Sequence, residues 1–101
     1  MSGQSEISKI TINVGEFARD GYPISRSMAR RMMTACVGFD HVTLDFVGLE
    51  LNPSSWSFLD EVFRVWARFH PETKIDVAGA TDSLMSVITV KQRQLQKELQ
   101  K

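Results

Sequence analysis

Cysteine is almost missing from this sequence: the 101 residues contain one, Cys36. A lone thiol closes no internal disulfide, so the fold must be held by packing, as expected of a chain in a reducing compartment. That cysteine and two distant histidines, His41 and His70, also fall short of a structural zinc set. An excess of either charge is missing too. Twelve Lys and Arg stand against twelve Asp and Glu, which removes the global signal for nucleic acid or acidic lipid. No apolar run approaches the length that spans a bilayer, and the opening MSGQSEISK lacks the apolar stretch of a signal peptide. There is no G-x-S-x-G elbow, no Walker glycine loop and no dinucleotide glycine pattern. These absences lead to the expectation of a soluble, cytoplasmic protein that is not an enzyme, needs no cofactor, and has neither a membrane nor a nucleic acid as its partner.

The residues that are present make a well-patterned core. The hydrophobic fraction of 43% is too high for a disordered chain and suits one small domain. The chain is organised around Val42 to Phe69. Val42, Leu44 and Phe46 alternate as a strand requires. Asn52-Pro53-Ser54-Ser55 is turn chemistry, and a serine there is expected to cap the next helix. Phe58, Leu59, Val62, Phe63, Trp66 and Phe69 then recur at helical spacing on one face, and His70-Pro71 stops that helix.

The flanks repeat the theme. Ile10, Ile12 and Val14 alternate with Lys9, Thr11 and Asn13 as a half-buried strand. Residues 16–24 contain Asp20-Gly21 and Tyr22-Pro23 and read as turns or a short extra strand. Ser25 looks like the cap of a helix that Gly38 ends, with Met28, Met32, Met33 and Cys36 on its apolar rows. Lys74 to Ala78 is a third strand, and Thr81 caps a last helix in which Leu84, Val87 and Ile88 face inward. Such alternation predicts a small α/β domain with a mixed three- to four-stranded sheet that contains parallel pairs and is covered by three helices. The domain is expected over 1–90. A polar helical tail over 91–101 is expected to project or to pack on a partner, and Met1 to Glu6 is expected to fray.

Few residues gather chemistry. Asp60 and Glu61 are neighbours on a helix and point about 100° apart, so they are expected to form a solvated face, with Arg64 pairing to Asp60 one turn on. His41 begins the strand whose far end leads to Ser54 and Ser55, about 17 Å away for five residues; His70 lies past the far end of the helix. Neither is placed to act as a base. Cys36 is expected to be a buried structural residue. The cluster Arg19, Arg26, Arg30 and Arg31 reads either as a solubilising face or as a surface for anions or an acidic partner. Asp45 is expected to accept hydrogen bonds from the loop N–H groups and hold the loop's shape.

Taken together, Ser25-Arg26-Ser27, Ala29-Arg30-Arg31, VTLDF, Gly48-Leu49, FLDEVFRVW and His70-Pro71 resemble the STAS-like domain family. These are small bacterial domains related to the STAS fold of anti-sigma-factor antagonists and sulfate-transporter tails. The resemblance implies a regulatory protein-binding module. In the wider STAS fold a serine at a helix N-terminus is phosphorylated by a histidine-kinase-like ATPase, which switches partner binding. Ser54 falls where that acceptor would stand and Ser55 is its neighbour, while Pro53 replaces the usual acidic residue and Trp56 a small one. The residues expected to meet the partner are Asn52, Pro53, Trp56, Arg26 and Arg30. The alternative from a different class is a structural subunit that self-assembles, for which a homodimer is the simplest form.

Overall fold

The computed structural model describes residues 7–100, so the fraying expected for Met1 to Glu6 lies outside the described residues. Three strands, β1 (Lys9–Asn13), β2 (His41–Asp45) and β3 (Lys74–Ala78), form one sheet in the order β1-β2-β3. Both pairings are parallel, with Ile10, Val42 and Ile75 in one row and Ile12, Leu44 and Val77 in the next. The mixed sheet expected from the sequence is therefore corrected: all three strands run the same way. Each strand is followed by a helix that returns the chain to the sheet's starting edge, which makes neighbouring strands parallel. The segment that had offered a further strand folds into a 3-10 turn at Val14–Phe17 and a single antiparallel bridge, Arg19 to Tyr22. Pro23 has no N–H with which to extend that ladder.

The helices are α1 (Arg26–Thr34), a central rod and α4 (Asp82–Leu99). The rod comprises α2 (Ser55–Asp60), a π-helical stretch (Glu61–Trp66) and α3 (Ala67–Phe69). α1 and α4 both pack against α2 and the π stretch. Right-handed crossovers that step the same way across a sheet put their helices on one side. Among the described residues the other side stays open, and alternation makes it polar: Lys9, Thr11 and Asn13 from β1 are exposed there.

The core lies between this one-sided sheet and the helices. Val42, Leu44, Phe46, Phe58, Leu59, Met32, Met33, Leu84 and Ile88 are fully buried. Phe46 stacks on Phe63 with ring centroids 6.5 Å apart, tying the sheet's end to the rod. Cys36 is buried, and desolvation pushes its thiol up to about 11, which leaves it protonated at neutral pH. Phe69, expected on the buried face, is 73% exposed. A π stretch carries more residues per turn than an α-helix, and each extra residue rotates the chain beyond it by about 100°. α4 runs unbroken past residue 90, and its second half lies on the body, with Leu95 buried.

Ser25 and Thr81 cap α1 and α4 through side-chain oxygens that accept from Met28 N (3.1 Å) and Leu84 N (3.2 Å). Ser25 does so at φ 82°, a backbone region that side chains rarely enter. Such strain costs roughly 1–3 kcal/mol, whereas glycine in place of a serine cap costs only a few tenths. Ser25→Gly is therefore expected to leave stability within about 0.5 kcal/mol of wild type, and Ser25→Ala to lose about 1 kcal/mol. Urea unfolding of the two variants checks this; equal losses would show that the backbone is not strained.

Candidate partner-docking site

The loop between β2 and α2 is built by its own polar groups. Asp45 Oδ1 accepts from Val47 N at 3.0 Å, the loop-holding role expected from the sequence. Phe46 N donates to Ala78 O at 2.8 Å and Glu50 N to Gly21 O at 2.9 Å, which fastens the loop to β3 and to the 20–21 turn. The helix start is then set by Asn52. Its side-chain oxygen accepts from Ser54 N at 2.8 Å and its backbone carbonyl from Ser55 N at 2.7 Å.

The two serines part company here. Ser55 is fully buried, and its Oγ accepts from Asn52 N at 3.1 Å. The Ser55 hydroxyl, expected as the second candidate phosphoacceptor, is enclosed and occupied in closing the turn. Pro53 and Ser54 are exposed, and the Ser54 side chain makes no cap hydrogen bond, so the expected serine cap is replaced by the Asn52 turn. Ser54 offers the loop's free hydroxyl.

One residue further on, Trp56 is 44% exposed, and Lys91 Nζ sits 5.6 Å from its ring centroid. Trp56 forms one wall of an open trough of about 520 Å³ that Arg26, Ser57, Lys91, Gln94 and Lys97 also line. Its floor is an ion network. Asp60, 5% exposed, accepts from Arg64 Nε (2.6 Å) and Nη2 (2.8 Å), from Arg26 Nη1 (3.0 Å), and faces Lys91 Nζ at 3.3 Å. Glu61, 6% exposed, pairs with Arg26 at 3.2 Å and Arg30 at 3.3 Å. Glu98 of α4 pairs with Arg64 and Arg68, each at 3.1 Å. The Arg64 fork holds the Asp60 carboxyl well below the usual carboxylate range, against the opposing effect of burial, with Arg26 and Lys91 adding to it. Asp60 in turn raises Arg64 above its ordinary value.

One comparison places this chain among known proteins. A family model, described as a STAS-like domain of unknown function, matches residues 28–85, more than half of the chain. The chain belongs to that family. Comparisons with curated proteins and with solved structures gave no match. The span shared with the STAS-like family holds the β2–α2 loop, Trp56, Asp60 and Arg64, whereas Arg26, Lys91, Lys97 and Glu98 lie outside it. The trough of this STAS-like domain thus has the Asp60–Arg64 pair at the centre of its floor within the matched span, and the residues that complete its floor and walls come partly from either side of it.

Of the residues singled out from the sequence, Arg26 and Trp56 meet in the trough, and Arg30 reaches it only through Glu61, its own side chain being 65% exposed. Asn52 and Pro53 shape the loop. The histidines are elsewhere: His41 Nε2 lies 2.5 Å from Asp76 Oδ2 on the open sheet face, and the His70 ring stacks on Trp66 at 3.9 Å with Nδ1 2.9 Å from Trp66 O. Asp60 and Glu61, expected on a solvated face, are instead buried, Asp60 among cations from α1, the rod and α4, and Glu61 against two arginines of α1. The Asp60–Arg64 spacing was the one trace of this in the sequence. Nothing local announced Lys91 or Lys97.

Proposed function

We propose that this STAS-like domain is a non-catalytic regulatory module that binds a protein partner at the β2–α2 loop and the neighbouring start of the central rod. The observation that carries the reading is Trp56: a large aromatic, 44% exposed, held at the first turn of a helix beside Arg26 and Lys91. Half-exposed tryptophan beside arginine is the composition of energetic centres in protein interfaces. The fixed loop supports it, since Asn52 and Asp45 spend their side chains on holding the backbone rather than on facing a substrate.

The switch we infer is phosphorylation of Ser54. A histidine-kinase-like ATPase would transfer the γ-phosphoryl of ATP to Ser54 Oγ, forming the Oγ–P bond as the bond between Pγ and the β,γ-bridging oxygen breaks, with ADP leaving and the hydroxyl proton released. The dianion would sit at the start of a helix, where negative charge is tolerated, and would change the field beside Trp56 without unfolding the domain. Incubating the chain with such an ATPase and ATP should place one phosphate on Ser54, read by mass spectrometry, with none on Ser55 and none in Ser54→Ala. Trp56→Ala should weaken binding to that ATPase roughly 30-fold, as loss of an interface centre worth about 2 kcal/mol does, while stability moves by less than about 1 kcal/mol. Unchanged binding by Trp56→Ala removes the loop from the proposal.

The second reading is self-assembly. It is favoured by one feature, a groove of about 450 Å³ that Phe63, Ile75, Leu95 and Leu99 line and whose walls, among the described residues, hold no Lys, Arg, Asp or Glu. Sedimentation of the same samples separates the two readings, because assembly requires an oligomer without the ATPase.

A further inference from the structure

The charges of the trough do not balance, and the surplus has a direction. The chain as a whole is neutral. In the ion network, however, the only carboxylates that Arg26, Arg30, Arg64, Arg68 and Lys91 face among the described residues are Asp60, Glu61 and Glu98. Lys97 joins the same wall with no carboxylate partner among the described residues. The three carboxylates are already engaged: Asp60 meets three cations, and Glu61 and Glu98 two each. Arg26 spends only Nη1 on them, and its side chain is 37% exposed. The outward-facing surface is therefore cationic and lies beside an aromatic ring.

We propose that this trough docks an acidic segment of a protein partner, with Trp56 as the anchor for an apolar side chain and with Lys97 and Arg26 receiving its carboxylates. The proposal rests on the docking reading above and gives the partner a chemistry. A neutral or apolar segment would cover these cations without pairing them, and burying unpaired charge is strongly unfavourable. A basic segment would be repelled. The trough is open along its length, a shape that suits a stretch of chain more than an enclosed small molecule. The exposed tryptophan beside guanidinium and ammonium groups gives both an apolar centre and a charged rim.

The test is titration of the full chain into a labelled glutamate-rich peptide containing one phenylalanine, followed by anisotropy. Lys97 is exposed and unpaired among the described residues, so Lys97→Glu is expected to keep the fold, which circular dichroism verifies. The proposal expects saturable binding that weakens about tenfold in Lys97→Glu and at least as much in Trp56→Ala. It also expects binding to fall as salt rises from about 0.05 M to about 0.3 M, and a glutamine peptide of equal length not to bind. Equal affinity of wild type and Lys97→Glu, equal binding of the glutamine peptide, or binding of a duplex oligonucleotide in place of the peptide would overturn it. The two levels fail separately. If Trp56→Ala abolishes binding of the ATPase but Lys97→Glu and salt do not alter it, the docking module stands and the acidic segment falls. If the peptide behaves as stated and the ATPase is indifferent to Trp56→Ala, the trough's chemistry stands and the regulatory reading falls.

Discussion

Asp60→Ala is expected to destabilise the domain by about 3 kcal/mol, lowering the midpoint of thermal unfolding by roughly 15 °C for a chain of this size. The carboxylate is 5% exposed and is the common partner of Arg64, Arg26 and Lys91, which come from the rod itself, α1 and α4. Removing it leaves three cations facing one another around an empty position. They are partly exposed, with side-chain exposures of 29%, 37% and 14%, so some relief by turning toward water limits the loss. The contrast is Asp76→Ala, which removes a carboxylate that is 48% exposed on the open sheet face; a pair of that kind is worth about 1 kcal/mol or less.

Acid supplies a second readout of the same residue. An unfolded aspartate titrates near pH 3.9, and the folded Asp60 lies below that range. A carboxyl whose folded pKa is depressed binds protons less readily than in the unfolded chain, so its contribution is complete above about pH 5 and is lost as pH falls through the folded value. Urea unfolding across the acid range should therefore show a steep loss of stability in wild type and a shallower one in Asp60→Ala. Parallel pH profiles, or a loss no larger than that of Asp76→Ala, would mean that the network is decorative.

The strands were readable because each alternates on a one-sided sheet: Ile10 and Ile12, Val42 and Leu44, Ile75 and Val77 all face the helices. The caps Ser25 and Thr81 were readable because capping is local chemistry. The parallel pairing was readable from the alternation of strand and helix, but the number of strands was not, since it turned on whether 16–24 became a strand, and Pro23 at the end of a single bridge decided against it. The rod's face was read well as far as Trp66 and misread at Phe69, where the π stretch had already rotated the chain. No spacing rule marks that stretch. It occurs where Glu61 is drawn under Arg26 and Arg30, from a helix some thirty residues earlier. The site was half legible for the same reason. Arg26 and Trp56 carry their own signals, one as a cation and one as an aromatic next to a turn. Lys91 and Lys97 acquire meaning only once α4 lies against the rod.

Gly79→Ala is the second substitution expected to cost about 3 kcal/mol, and it acts on the loop rather than on the network. Gly79 adopts φ +68°, and a Cβ there would stand 2.8 Å from Asp45 Oδ1, 2.9 Å from Val47 N and 3.1 Å from Val47 Cα. None of these is the loose end of a flexible side chain. Asp45 is tied to Val47 N by its own hydrogen bond, and Phe46 N to Ala78 O holds the two segments together. The methyl group must therefore push the β2–α2 loop away from β3. Gly48→Ala separates the two contributions. Gly48 sits at φ +80° with nothing within 4 Å of the added Cβ, so it meets the backbone penalty alone, about 1 kcal/mol. The excess in Gly79→Ala measures the collision. Because Val47 N is the group displaced, its amide should exchange with solvent faster in Gly79→Ala than in Gly48→Ala. If the two variants match in stability and in exchange at Val47, the close approach of β3 does not fix the loop, and the positions of Ser54 and Trp56 must be set from the helix side alone.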